Sequence, residues 1–112
     1  MNERLQNGLQ LIVTKFADRW TVFASELGKI GNVVHGTKEG NTFSVDVLLG
    51  DREDDYTRLL ARQLTSQVWK QVSLPTLLMS SLDFRGMVQD DAMEKVRRVL
   101  DMFEKLISSN SM

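Results

Sequence analysis

The one histidine, His35, and the carboxylate of Asp46 on the next predicted strand form the pair best suited to chemistry in this chain. Imidazole titrates near neutral pH, and a neighbouring carboxylate fixes its tautomer, so the two could serve as a general base and its orienting group. No nucleophile or oxyanion motif accompanies them, and His35 reads instead as a half-exposed residue at a strand end. Asp51, Glu53, Asp54 and Asp55 offer oxygen ligands for a divalent cation. They lack the spacing and turn glycine of a calcium loop, and acids at a helix N-terminus account for them. In "ELGKIGNVV", Glu26 to Val34, two glycines flank Lys29, but a phosphate-binding loop needs a longer glycine-rich run and a Lys followed by Ser or Thr. Here Ile30 follows. Gly28 and Gly31 are therefore read as shaping a tight strand connection, with Lys29 solvated and positive φ at the glycines. No catalytic constellation assembles, and the expectation is a protein that is not an enzyme and uses no cofactor or metal.

Composition points the same way. The 112 residues make one domain, 1–112, with 42% hydrophobic and 26% charged residues. Fourteen basic and fifteen acidic side chains leave a net charge of −1, which provides no field for nucleic acid or anionic lipid. The absence of cysteine removes disulfides and thiolate chemistry. No apolar run approaches the roughly 20 residues of a membrane span, and "MNERLQNG" lacks the features of a signal peptide. A cytoplasmic protein, with the nucleus also open to it, is expected.

The elements that must position these residues follow from periodicity. A short strand around 2–6, then "LQLIVTKFA", "RWTVFASEL", the Ile30–His35 segment and "TFSVDVLLG" read as strands, and "GTKEGN" as a polar loop. Tyr56, Leu59, Leu60, Leu64 and Val68 recur at helical spacing, predicting a helix over about 53–69. "LPTLLMSSL" reads as a further strand. Met93, Val96, Leu100, Phe103 and Ile107 predict a last helix, with Asp91 and Glu94 as its capping box and a frayed tail over 108–112. Lys95, Arg97 and Arg98 read as the solvated face of that helix. The fold class is α+β: an antiparallel sheet of five or six strands with two helices on one face, in the order ββββ(β)-α-β-α.

Two helices cover one face of such a sheet, yet several strands carry apolar residues on both. A second sheet stacked on the uncovered face resolves this, and Thr21, Phe23, Val33, His35 and Leu48 are the expected dimer face. Phe84, Arg85 and Met87, in "DFRGMVQD", are the expected contact with a client protein.

"GKIGNVV", then "VDVLLGD", then a helix containing "LLARQL", resembles the proteasome assembly chaperone 3 family over about Leu9 to Ile107. Gly28, Lys29, Gly31 and Gly50 carry its turn motifs, and "LLGDREDDYTRLLARQL" is similar to the related chaperone 4 branch as well. The resemblance implies a small α+β domain that pairs sheet to sheet with itself or with a homologous chaperone subunit. It also implies binding to proteasome α-type subunits, the fifth above all, during assembly of the α ring. A two-layer domain with a dimerising sheet also suits a roadblock or longin scaffold for a GTPase complex, the alternative reading.

Overall fold

The computed structural model describes residues 2–4, 8–26, 31–51 and 53–109. Strands β1 (Asn2–Arg4), β2 (Gln10–Lys15), β3 (Trp20–Ser25), β4 (Asn32–Glu39) and β5 (Thr42–Leu49) are followed by α1 (Asp55–Val72), β6 (Thr76–Ser80) and α2 (Gln89–Ser109). The sheet order is β1-β2-β3-β6-β4-β5. The predicted meander is thus corrected at its centre, because β6 lies between β3 and β4. It runs parallel to β3 and antiparallel to β4, so the sheet is mixed rather than antiparallel throughout. The cause is burial: β6 is apolar on both sides, and a central position is where such a strand loses most surface to water.

The residues leaving β6 stitch the sheet's halves together. Ser81 N–H donates to Ala24 O at 3.1 Å, the hydroxyls of Ser25 and Ser81 meet at 2.8 Å, and Gly31 N–H donates to Ser80 O at 2.9 Å. Both helices pack on one face, where Leu11, Val13, Val22, Ala24, Leu78 and Val34 meet Leu60, Leu64, Val68, Val99 and Phe103 in a single core.

Helix α1 begins at Asp54, whose carboxylate accepts the Thr57 N–H at 3.0 Å and the Thr57 hydroxyl at 2.6 Å. Of the four acids, Asp54 is the cap and Asp55 lies in the first turn, as their position suggested, while Asp51 Oδ1 accepts the Glu53 N–H in the turn before the helix. At the start of α2, Asp90 and Asp91 lie within the first turn, so the helix begins ahead of the expected capping box. At its end the helix includes Ser108 and Ser109, which the expected tail had claimed, while 110–112 lie outside the described residues.

Three readings of the β4–β5 hairpin change. "GTKEGN" is mostly strand, because β4 continues to Glu39 and turns on Gly40 and Asn41 alone. Gly36 sits in the middle of β4, where a Cβ would collide with the Thr65 hydroxyl of α1. A bulge between Val33 and Val34 sets two residues of β5, Leu48 and Leu49, against one step of β4. Leu49 therefore pairs with Val33 on the uncovered face while Val47 pairs with Val34 on the helix side, although strict alternation had placed Val47 and Leu49 together; Leu48 and Leu49 are both about 60% exposed.

Thr65 is fully buried and donates to Ala61 O at 2.7 Å, so it has little freedom to yield. Gly36→Ala is expected to cost roughly 1–3 kcal/mol by overpacking. Combining it with Thr65→Ala should recover part of that loss. Urea unfolding of the four proteins in the double-mutant cycle measures the coupling.

Candidate protein-interaction surfaces

On the face away from the helices, the register builds a continuous apolar row across five strands. Ile12 pairs with Phe23, Phe23 with Met79, Met79 with Val33, and Val33 with Leu49. Beside it runs a second row, Thr14, Thr21, Leu77, His35 and Asp46. Of the expected face residues, Thr21, Phe23, Val33 and His35 are brought together here, and Leu48 lies exposed at the bulge beside Leu49. Met79 and Leu77, at the centre of both rows, were missed because β6 was not recognised as the central strand. His35 and Asp46 are cross-strand neighbours.

The turn motifs divide. Gly28 and Lys29 lie outside the described residues. Gly31 and Gly50, far apart in sequence, meet at one junction. Gly50 has φ 109°, and a Cβ there would stand 2.7 Å from Gly31 O and run into the Asn32 side chain. Asn32 Oδ1 in turn accepts the Asp51 N–H at 2.8 Å. The positive φ expected at Gly31 is not found, because Gly31 instead pairs with β6; it occurs at Gly50, where it was not expected.

The loop after β6 corrects another expectation. Phe84 is 7% exposed and packs on Tyr56 with ring centroids 5.3 Å apart, so it is a core residue rather than a client contact. Met87 is half-buried against the same core. Arg85 alone of the three presents its side chain to solvent. Lys95, read from sequence as solvated, is mostly covered: its Nζ reaches Glu26 Oε1 and Asp83 O at 2.7 Å each and lies 5.4 Å from the Phe84 ring centre. Glu26 also accepts the Asp83 N–H at 3.1 Å, so one ion pair ties the end of β3 and the loop after β6 to α2. Nothing in local periodicity marks a pair so distant in sequence.

Between this loop and the β5–α1 connection opens a cleft of about 560 Å³, lined by Asp51, Glu53, Asp54, Asp55, Asp83 and Arg85 among others. No group of acids among the described residues is arranged to hold a metal ion. Arg85 forks onto Asp83 through Nε and its terminal nitrogen at 3.0 and 3.1 Å, and its N–H also donates to Asp83 Oδ1. These side-chain and backbone hydrogen bonds hold the Asp83 carboxyl at about 2, well below the usual carboxylate range.

A two-layer α+β domain whose sheet leaves an apolar row uncovered is a domain built for binding other proteins. The sequence pattern of the proteasome assembly chaperone 3 family matches residues 22–106, and the chain belongs to that family. No curated protein matches the sequence. Among solved structures, the fold is similar to a chain in the crystal structure of a chaperone complex for yeast 20S proteasome assembly. The two share 16% identity over 94% of each chain, with a TM-score of 0.63.

The Asp83–Arg85 pair is exposed and screened, so titration reads it better than stability does. Because folding lowers this pKa, the pairing is complete above the ordinary carboxylate range and is lost as pH falls through about 2. Carboxyl chemical shifts should therefore show Asp83 titrating near 2, and Arg85→Ala, which keeps the backbone N–H donor, should raise it only part of the way back to the ordinary carboxylate range.

Proposed function

We propose that this chain joins a second sheet of the same kind through its uncovered face, and that the pair holds proteasome α subunits while the α ring forms. The second sheet is its own copy or a homologous chaperone subunit, and the fifth α subunit is the expected client. The family supports the assembly role. The observation that carries the mode of pairing is the row Ile12, Phe23, Met79, Val33 and Leu49, which no helix covers. Face-to-face sheets pack about 10 Å apart with their side chains interdigitating, and this row supplies such an inner layer.

The mechanism is differential binding and involves no bond chemistry. A client bound through a reversible interface is released when later subunits occupy or reshape the surface the chaperone holds. Arg85 and the acidic cleft beside it stand at the end of the sheet and remain accessible when its face is covered. That end is where the client contact is assigned. The work falls in the cytoplasm or the nucleus, where assembly intermediates are available.

Phe23→Glu places a charge in the middle of the row and should weaken the pairing by about a hundredfold or more, with circular dichroism unchanged. Sedimentation at micromolar concentration checks the pairing. A pull-down at mild salt checks the role: α subunits with a small chaperone partner are expected from the original chain, and the partner should be lost from Phe23→Glu. Recovery of GTPase-scaffold subunits without any proteasome component would overturn the reading.

A further inference from the structure

Strand β5 is the outer strand on its side of the sheet. The loop joining it to β4 has two residues, Gly40 and Asn41, and such hairpins close on a hydrogen-bonded pair, here Glu39 and Thr42. Alternation from that pair makes Thr37–Ser44 and His35–Asp46 hydrogen-bonded, and leaves Phe43, Val45 and Val47 turned the other way. The main-chain N–H and C=O groups of these three residues therefore point out of the sheet. Among the described residues, no group bonds to them from that side.

Val45 and Val47 pack against the core on the helix side, and α1 runs beside them. Strand and helix bound a groove of about 630 Å³ whose lining includes Phe43, Val45, Arg58, Arg62 and Glu39. Among the described residues, Arg58 has the exposed Asp55, at 3.7 Å, as its one ion-pair partner. Arg62 has no carboxylate within ion-pair distance among the described residues, and Glu39, at the hairpin end, is the single acid of the lining.

We propose that this groove takes an extended acidic segment of a partner protein, which adds to β5 as a further strand and directs alternate carboxylates at Arg58 and Arg62. Spacing supports the match. Four residues of helix advance about 6 Å, while same-face residues of a strand stand about 6.8 Å apart. Main-chain pairing supplies affinity and the two guanidiniums select acidic side chains, as in recognition by strand addition generally. The groove lies at the sheet edge, so it stays open whether or not the uncovered face is occupied.

The test uses the full chain labelled with ¹⁵N and a nine-residue peptide alternating valine and glutamate. The amide signals of Phe43, Val45 and Val47 should shift on titration. The same peptide N-methylated at successive residues, so that neither of its edges can complete the ladder, should bind at least about tenfold more weakly. Arg58→Glu with Arg62→Glu should weaken the acidic peptide by about tenfold and favour one with lysine in place of glutamate. Equal binding of the acidic and lysine peptides to the original chain would overturn the proposal. So would shifts confined to the uncovered face, no binding at millimolar peptide, or pairing of β5 with a second copy.

Discussion

Everything in this fold hangs on strand β6. It enters the sheet after α1 and separates two units, β1-β2-β3 and β4-β5, that are not neighbours in the sheet. Its ladder to β3 is parallel and its ladder to β4 antiparallel, so it is the strand through which the register of one unit is transmitted to the other. Leu78 is fully buried beneath the helices, while Met79 points the other way and completes the apolar row. A one-residue slip of β6 would exchange these two and break the core and the uncovered row together.

From that constraint the two surfaces follow. Burying Leu78 fixes the helix-covered face, and Gly36 lets α1 approach closely enough to seal it against Thr65. With both helices spent there, the opposite face keeps Phe23, Met79 and Val33 side by side. At the sheet's end, the bonds from Ser80 and Ser81 to Ala24 and Gly31 position the loop that carries Asp83 and Arg85. The Glu26–Lys95 pair then anchors that loop to α2. That end of the sheet is thus tied in its main chain by hydrogen bonds and carries the Asp83–Arg85 pair at its surface.

Much of this was legible from the residues. Alternation of two places Thr21 with Phe23 and Val33 with His35 on common faces, and spacings of three and four mark both helices. An excess of apolar side chains over what two helices can cover pointed to an uncovered face. What escaped was long-range. Nothing local distinguishes a strand that ends a meander from one inserted at its centre, so Leu77 and Met79 were not placed between Thr21 and His35. Gly36 looked like loop because Thr37, Lys38 and Glu39 follow it, although they are polar as the solvated end of a hairpin. Phe84 was misjudged since a glycine and an arginine beside an aromatic suggest an exposed anchor, and only the position of Tyr56 shows that the ring turns inward.

The central claim is that the uncovered face is occupied when the protein works. The chain contains no cysteine, so a single Met79→Cys on that face and, separately, Met93→Cys on α2 can be alkylated without background. Rates would be measured in the complex recovered from cells and again after its dissociation. The account predicts that the Met79 site reacts at least about tenfold more slowly in the intact complex than after dissociation, while the exposed Met93 site reacts equally in both. Equal rates at the Met79 site before and after dissociation would contradict it.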